Sequence, residues 1–228
     1  YSGHDWFYET AKWMAAKVSV PVAIHLDHGD SFERCMEMLK LGFTSIMFDG
    51  SALPVEENAA ATEAVARVCR SFGVPLEAEI GELCRLDDKG NKMGASNIAD
   101  PDVVRQYLKL CHPDSLAIGI GNAHGFYNGP VDIRAEVLEE CRKFTDIPFV
   151  LHGCTGMDEE LVKRSIDSGV TKINFGTQVR CQYVNYLKEG RAEGKDQGHA
   201  WRLSQYAELR LREDIKDIIR LAGSQEKA

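Results

Sequence analysis

Three histidines in this sequence are each followed by a glycine at the end of a short apolar run. They are His28 in "IHLDHG", His124 in "NAHG" and His152 in "VLHG". Three histidines from separate segments make a typical catalytic zinc site, which keeps one coordination position for water or substrate. A following glycine lets the backbone approach a bound ligand closely. We therefore predict one Zn²⁺ site from these three side chains, although any one of them alone is more commonly a core or surface residue.

Acidic residues stand beside or near these histidines. Asp27 precedes His28 and is predicted to act as a general acid/base on a substrate hydroxyl. Its alternative role is to orient a ligand histidine through the second ring nitrogen. Glu79 and Glu82, in "EAEIGE", could move protons or bind a second ion, or be solvated loop carboxylates. His25 is expected to orient a neighbour or to be structural.

Three glycine-containing segments could receive a phosphate group. They are Gly125, the loop "HGCTG" at 152–156 and the segment "NFGT" at 174–177. Each offers backbone N–H groups, and the last two also offer threonine hydroxyls, which together suit an anion. Lys172 could add positive charge, although a lysine in the middle of a strand is more often structural. The sequence thus predicts a phosphate site near the histidines.

The elements that must position these residues alternate between β-rich runs and longer amphipathic stretches. The predicted strands are 20–29, 44–50, 74–81, 114–121, 147–153 and 171–176. Strands separated by helices pair in parallel, because parallel neighbours require a crossover connection. This alternation indicates an α/β fold of the TIM (β/α)8 barrel type, whose active site follows the carboxyl ends of the strands. A doubly wound open sheet is the alternative, but the sequence lacks its G-x-G-x-x-G loop.

Six strands are visible where a barrel needs eight. Residues 4–20 read as a helix with no strand before it, so we expect two further strands, roughly 50 to 60 residues, ahead of residue 1. Residues 1–228 are predicted to form a single barrel domain that lacks these two strands and ends in a helical tail from about residue 200 to 228. The apolar stripe of this tail could pack on the barrel or on a second subunit; it consists of Leu209, Leu211, Ile215, Ile218 and Ile219.

The composition and charge of the chain argue against nucleic-acid-binding and membrane-spanning proteins. The 228 residues are 44% hydrophobic and 27% charged, as in an ordinary globular protein. A net charge of −8 argues against broad nucleic-acid binding. No apolar run reaches the roughly 18 residues that a membrane span needs. Seven cysteines without a C-x-x-C pair read as reduced thiols, and we expect a cytoplasmic protein that binds neither nucleic acid nor membrane.

The motifs together resemble those of the class II, zinc-dependent fructose-bisphosphate/tagatose-bisphosphate aldolase family. The segments "HLDHG", "EAEIG", "AIGIGNAHGFY", "LHGCTG" and "KINFGT" follow the family's order and approximate spacing. The resemblance implies cleavage of a ketose bisphosphate to dihydroxyacetone phosphate and an aldehyde. It implies Zn²⁺ on His28, His124 and His152, and a monovalent cation near the phosphate loops. It also implies a homo-oligomer, a dimer or tetramer, that binds a small phosphorylated sugar.

The same resemblance implies roles for other residues. Asp27 would exchange the proton of the hydroxyl next to the broken bond, and a carboxylate of the loop after "EAEIG" would protonate carbon. Glu82 matches that carboxylate poorly, and Asp87 or Asp88 are alternatives. Glu79 is predicted as a further metal ligand, and Asp49 and Asn122 are expected to support the site and to contact the substrate. The substrate's phosphate would lie on Gly125, Gly153, Thr155, Asn174 and Thr177, and Gly176 would be a further substrate-binding residue.

Departures from the family's pattern bear on the substrate. Cys154-Thr155 stands where the family usually has Gly or Ala followed by Ser. Gly176 stands where fructose-bisphosphate members tend to carry Asp and tagatose-bisphosphate members Ala, and Gln178 replaces an expected acid. These changes favour another sugar phosphate over fructose 1,6-bisphosphate. The alternatives are a divalent-metal epimerase, isomerase or hydrolase of barrel fold, and a non-catalytic relative that binds a phosphorylated ligand.

Overall fold

The computed structural model describes residues 3–82, 84–86, 92–93, 98–125 and 132–227, with 84–86 and 92–93 described by their backbone alone. The helices are α1 His4–Ala15, α2 Phe32–Leu41, α3 Val55–Phe72, α4 Pro101–Leu110, α5 Glu136–Arg142, α6 Glu159–Asp167, α7 Thr177–Ala192 and α8 Ala200–Leu221. The strands are β1 His25–Gly29, β2 Ser45–Phe48, β3 Leu76–Ile80, β4 Cys84–Leu86, β5 Lys92–Met93, β6 Ser115–Ile118, β7 Ala123–His124, β8 Phe149–Leu151 and β9 Val170–Ile173. None of these helices has the combination of length and apolar character that crossing a bilayer requires.

The main sheet has six parallel strands in the order β1-β2-β3-β6-β8-β9. Each lies within one of the predicted runs or overlaps it, so six strands and their parallel pairing are confirmed. The sheet is curled, since its two edge strands, β1 and β9, are brought close enough for their side chains to meet on its concave side. Nζ of Lys172 on β9 lies 3.4 Å from Nε2 of His25 on β1. This is the barrel arrangement predicted from the alternation of strands and helices.

Local signals in the sequence set the helix limits. Ser31 accepts a hydrogen bond from the backbone N–H of Arg34 and so begins α2. Gly42 ends the same helix with φ of 104°, a conformation that glycine adopts without strain. Asp100 caps α4, whose first residue is Pro101. The first helix is shorter than predicted, because it stops at Ala15 and not near residue 20.

A second, three-stranded sheet has the order β5-β4-β7. Its strand β7 carries His124, and the backbone of Arg85 pairs with that of His124. The predicted strand 114–121 therefore ends at Ile118, and a separate short strand delivers the histidine. Strands of two or three residues leave too little periodicity for a sequence pattern to predict them.

Among the residues of the main sheet's strands that are fully buried, two are ionisable, and both lie on one strand. All five residues of β3 are buried, and Glu77 and Glu79 are 2% and 1% exposed. Since side chains alternate along a strand, these two carboxylates share a face. Burying an ionisable group requires a partner that compensates for the lost solvation. The two glutamates therefore form a polar, buried part of the sheet that must have compensating partners.

Apart from Cys84 on β4, six cysteines lie in the described part of the chain. All six are free thiols, and all but Cys181 are buried. Cys154 lies in the loop after β8 and is 2% exposed. Burial raises the pKa of its thiol to about 12, so it is a packing residue and not a thiolate ligand.

Candidate active site

Strand β1 ends with two consecutive polar residues that line the same cavity. Strict alternation would place the side chains of Asp27 and His28 on opposite faces. The pairing of β1 with β2 is irregular between Leu26 and Gly29, and His28 has φ of 50°. Such an irregularity re-aims a side chain, at a backbone cost of about 1 to 3 kcal/mol for a non-glycine residue. Both Asp27 and His28 line the cavity as a result.

The three predicted histidines come together at the carboxyl ends of three strands. The ring centroid of His28 lies 5.0 Å from that of His124 and 4.9 Å from that of His152, and the last two are 6.0 Å apart. One ring nitrogen of each lies within 4.8 Å of the others, close enough to share a metal ion. The structure thus brings together the three side chains that the sequence singled out.

Carboxylates fix the orientation of two of these rings. Nδ1 of His28 lies 2.7 Å from Oδ2 of Asp49, and Nε2 of His152 lies 2.8 Å from Oε1 of Glu77. In the neutral form each of these nitrogens carries the proton and donates it to the carboxylate. The remaining nitrogens, Nε2 of His28 and Nδ1 of His152, then present lone pairs and face each other at 3.2 Å, and the amide Nδ2 of Asn174 lies 3.4 Å from Nδ1 of His152.

Two lone pairs at that distance repel each other unless a proton or a cation lies between them. Burial lowers the pKa of His28, but the hydrogen bond to Asp49 and the charge of Glu79 outweigh it and raise the pKa overall. A metal ion would use both lone pairs directly, with the outer nitrogens held by carboxylates as in many metal sites. The donor set of three imidazoles fits Zn²⁺ in particular.

A second group of potential ligands lies on the other side of the His28 ring. His28, Asp49 and Glu79 have ligand atoms within 4.8 Å of one another, and Oε2 of Glu79 lies 3.7 Å from Nδ1 of His28. Among the described residues, neither oxygen of Glu79 has a hydrogen-bond partner. Burial raises the pKa of Glu79 to about 8. Glu79 and Asp49 therefore lie on the Nδ1 side of the His28 ring, whereas His152 lies on the Nε2 side. If Glu79 is a metal ligand, it belongs to this second group and not to the group of three histidines.

Glu77 is the centre of a buried charge network that sequence reasoning missed. It accepts from Nζ of Lys172 at 2.7 Å and lies 3.6 Å from Nε2 of His25. Burial alone would raise the pKa of Glu77, but His152 and Lys172 lower it to about 2. Burial and the charge of Lys172 lower the pKa of His25 to about 4, and Ser45 bonds its other nitrogen. The spacing of Glu77 and Glu79 two residues apart on a buried strand could have indicated this role.

Asp27 is exposed to the cavity and does not orient a histidine. Its Oδ1 accepts a hydrogen bond from Nδ2 of Asn174 at 3.0 Å, and Asp49 takes the orienting role for His28. Asp27 is therefore placed to face a ligand in the cavity. Glu82 also lines the cavity, whereas the alternatives Asp87 and Asp88 lie outside the described residues.

Asn122 is a support within the protein and does not line the cavity. It is 1% exposed. Its Nδ2 donates to the carbonyl of His152 at 2.7 Å, and its Oδ1 accepts from the N–H of Ile120 at 3.0 Å. The loop after β6 is thereby joined to the loop after β8, which positions His152.

The predicted phosphate segments line the same cavity, whose volume is about 1130 Å³ and exceeds that of a hexose phosphate. The backbone N–H of Gln178 donates to Oγ1 of Thr155 at 3.1 Å, which joins the 152–156 loop to the start of α7. Gly153 has φ of 65°. The candidate phosphate residues Gly125, Gly153, Thr155, Asn174 and Thr177 lie on the cavity wall, as does the substrate-binding candidate Gly176. Arg180, which sequence reasoning did not single out, lines the cavity beside them.

Comparison with known proteins gives a consistent result. A family model described as fructose-bisphosphate aldolase class-II matches residues 1–227. A probable fructose-bisphosphate aldolase of Bacillus subtilis is 36% identical over 212 residues, which cover 93% of this chain and 74% of that protein.

Two further proteins are similar. A 6-phospho-5-dehydro-2-deoxy-D-gluconate aldolase of Bacillus velezensis is 39% identical over 168 residues, or 74% of this chain. The matched region spans 57% of that relative's length. The crystal structure of the YdjI aldolase from Escherichia coli K12 superposes with a TM-score of 0.82 at 29% identity, covering 98% of this chain and 77% of that one.

Proposed function

The chain belongs to the class II fructose-bisphosphate aldolase family, and we propose that it cleaves and forms a ketose phosphate with dihydroxyacetone phosphate as one product. One observation carries the proposal. His28, His124 and the exposed Asp27 line a single cavity beside hydroxyl and backbone groups suited to phosphate, and the buried His152 has a ring nitrogen within 4.8 Å of a ring nitrogen of each of the other two histidines. Retro-aldol cleavage of a ketose phosphate requires three functions in one cavity: polarisation of the ketone, removal of a hydroxyl proton, and binding of the phosphate group.

We propose that His28, His124 and His152 hold Zn²⁺. Lewis-acid polarisation of the substrate ketone is the chemistry that zinc supplies in such a site. The chain's own contribution is to orient the ligands: Asp49 fixes His28 and Glu77 fixes His152. A second cation on Asp49 and Glu79, and a monovalent cation near the phosphate loops, are further parts of this proposal.

We assign to Asp27 the removal of the proton from the substrate hydroxyl next to the carbon–carbon bond that breaks. Removal of this proton lets the hydroxyl carbon become an aldehyde, and the electron pair of the carbon–carbon bond passes to the ketone half. The amide of Asn174 holds the carboxylate of Asp27 in place. The ketone half then takes a proton at carbon from an acid of the loop after β3, for which Glu82 lines the cavity.

The substrate class follows from what the named relatives have in common. Fructose 1,6-bisphosphate and 6-phospho-5-dehydro-2-deoxy-D-gluconate both carry a ketone next to a phosphorylated carbon. Retro-aldol cleavage of either releases dihydroxyacetone phosphate, and only the aldehyde differs. Gly176 offers no side chain to the sugar, which favours a substrate other than fructose 1,6-bisphosphate. A homo-oligomer and a cytoplasmic location stay predictions from the sequence.

The test is the release of dihydroxyacetone phosphate from three substrates: the fructose and tagatose 1,6-bisphosphates and 6-phospho-5-dehydro-2-deoxy-D-gluconate. The protein is assayed as prepared, after chelation, and after zinc is restored. Release that chelation abolishes and zinc restores would support the proposal, and the three rates would rank the substrates. If zinc is bound and none of them is cleaved, the aldolase proposal is wrong, and a metal-dependent isomerase or hydrolase becomes the leading alternative.

A further inference from the structure

Helix α3 buries two polar side chains, Asn58 and Thr62, one turn apart. Tyr107 of α4 contacts both of them, and each of the three residues is 2% exposed or less. None of these three residues belongs to the described lining of the cavity. A polar group removed from water must be hydrogen-bonded to avoid a large desolvation cost. The partners of these side chains therefore show what they do.

The polar atoms of the three side chains contact one another. Oη of Tyr107 and Oγ1 of Thr62 are 2.7 Å apart, and they lie 3.3 Å and 3.1 Å from Oδ1 of Asn58. Each hydroxyl has one proton, so one hydroxyl donates to the other, and that one donates to Asn58. In either arrangement Oδ1 of Asn58 accepts. Its amide nitrogen, Nδ2, is therefore a donor directed elsewhere.

That donor completes the hydrogen bonding of β3. Nδ2 of Asn58 donates to the backbone carbonyl of Glu79 at 2.9 Å. The pairing of β3 with β2 ends at Ala78, whereas its pairing with β6 continues to Ile80. Glu79 thus lies beyond the last pair on the β2 side, where a buried carbonyl needs another donor. A helix side chain supplies the hydrogen bond that β2 does not.

The same amide group packs against the turn that follows β2. A Cβ atom at Gly50 would lie 2.3 Å from Oδ1 of Asn58, so the amide fits only because residue 50 has no side chain. The preceding residue is Asp49, whose Oδ1 accepts from the N–H and the hydroxyl of Ser51. Oδ2 of Asp49 lies 2.7 Å from Nδ1 of His28. Asn58 therefore contacts the turn that presents Asp49 to His28.

Asn58 thereby joins two segments that bring carboxylates to the ring of His28. One is the turn at 49–51 with Asp49. The other is the end of β3 with Glu79, whose Oε2 lies 3.7 Å from Nδ1 of His28. Both segments lie beyond the last pair between β2 and β3, so the strand ladder does not fix their separation. The amide group of Asn58 contacts both.

We propose that Asn58, held in place by Thr62 and Tyr107, is a positioning residue that sets the direction of His28 toward the metal position. This inference rests on the proposed zinc site. Asn58 fixes the turn with Asp49 against the end of β3, and Asp49 fixes the ring of His28. Hydrogen-bond partners of a metal ligand act on metal affinity by orienting it. Here the same effect extends one residue farther from the metal position.

The experiment uses the full chain and changes single groups of this cluster. Thr62→Val removes the hydroxyl at nearly constant volume, Thr62→Ser keeps it, and Asn58→Ala removes the amide. The control is Ser165→Ala, which removes another buried helix hydroxyl, one that donates to the carbonyl of Leu161 within α6. Urea unfolding of every variant separates a loss of general stability from an effect on the site.

Two measurements then test the positioning. In the metal-free protein, hydrogen–deuterium exchange follows the N–H groups of Ser51 and Leu53, which donate to Oδ1 of Asp49 and to the carbonyl of Gly50. In the presence of Zn²⁺, competition with a calibrated chelator gives the dissociation constant.

We expect Thr62→Val and Asn58→Ala to speed exchange of both N–H groups by about 5- to 10-fold, the effect of one hydrogen bond on a local opening. The zinc dissociation constant should rise by about 10- to 100-fold in Asn58→Ala and by less in Thr62→Val. Thr62→Ser and Ser165→Ala should match the wild type in both measurements, although Ser165→Ala also loses stability.

The possible results separate this inference from the proposed function. Wild-type zinc affinity in Asn58→Ala would overturn the positioning role and leave the proposed function intact. Equal weakening of zinc binding in Ser165→Ala would mean that general destabilisation is responsible, which also overturns the role. If the wild type binds no Zn²⁺, the proposed function is wrong, while faster exchange at Ser51 and Leu53 in Thr62→Val would still support the hold of Asn58 on the turn.

Discussion

Nε2 of His28 faces Nδ1 of His152 at a distance of 3.2 Å. Each ring has its other nitrogen on a carboxylate, Asp49 for His28 and Glu77 for His152. The facing nitrogens therefore both present lone pairs, which is an unfavourable arrangement for two neutral imidazoles and a favourable one for a shared cation. The two carboxylates set the direction of the ligands before any metal binds.

This relationship predicts that Glu77→Gln weakens zinc binding although Glu77 does not itself face the metal position. The glutamine would lose the charge that holds Nε2 of His152 and Nζ of Lys172. We expect the zinc dissociation constant to rise by about 10- to 100-fold, the usual effect of changing a partner of a metal ligand. Competition with a calibrated chelator measures it. The control is Asp30→Asn, which removes an exposed cavity carboxylate whose side-chain contact is Ser31; equal weakening in both variants would contradict the role of Glu77.

Asp27→Asn tests the assignment of the acid/base group. Asparagine has nearly the same size, but it cannot take a proton from the substrate hydroxyl. We expect turnover in the cleavage assay to fall by about 100-fold or more, with zinc content and dihydroxyacetone phosphate affinity near those of the wild type. A variant that keeps more than about a tenth of wild-type turnover, far above the residual rate expected without the base, would exclude Asp27 as this base.

The strands and the three histidines could be predicted from the sequence because both depend on local patterns. Apolar runs between amphipathic stretches identified all six strands of the main sheet. The rule that active sites follow strand ends then pointed to His28, His124 and His152. By contrast, β7 is two residues long and pairs with residues 84–85, so no pattern within the chain indicated it.

The charge network and Arg180 were missed for a different reason. Lys172 and Glu77 are 95 residues apart in the chain, and their pairing depends on the curl of the sheet, which a strand pattern does not contain. Arg180 lies in a helix one turn after Gly176, where a charged residue reads as a solvated surface position. Only the direction of its side chain, toward the cavity, distinguishes it.

His25 predicts a pH dependence of stability. Burial and the neighbouring Lys172 lower the pKa of His25 from 6.5 to about 4. Between these values the unfolded state binds more protons than the folded state, so stability falls as the pH falls from 6.5 toward 4. The side chain is 16% exposed, and the loss should reach about 3 kcal/mol at most.

Urea unfolding of the metal-free protein at pH 4.5 to 7 measures this effect. The wild type should lose stability relative to His25→Gln as the pH falls, whereas His199→Gln, at an exposed histidine, should run parallel to the wild type. A constant difference between wild type and His25→Gln across this range would show that His25 does not titrate as expected.

Gly153 predicts a matched pair of glycine substitutions. Gly153 and Gly156 have φ of 65° and 73°, so alanine at either position adopts a strained conformation that costs about 1 kcal/mol or more. A Cβ at Gly153 would also lie 2.4 Å from the carbonyl oxygen of Ala123, whereas one at Gly156 would meet nothing within 4 Å. Relief of that clash must move β7, and His124 moves with it.

We therefore expect Gly153→Ala to lose about 1 to 3 kcal/mol more stability than Gly156→Ala and to bind zinc more weakly, as measured by urea unfolding and chelator competition. Equal losses in the two variants would mean that backbone strain alone matters and that β7 does not depend on the glycine.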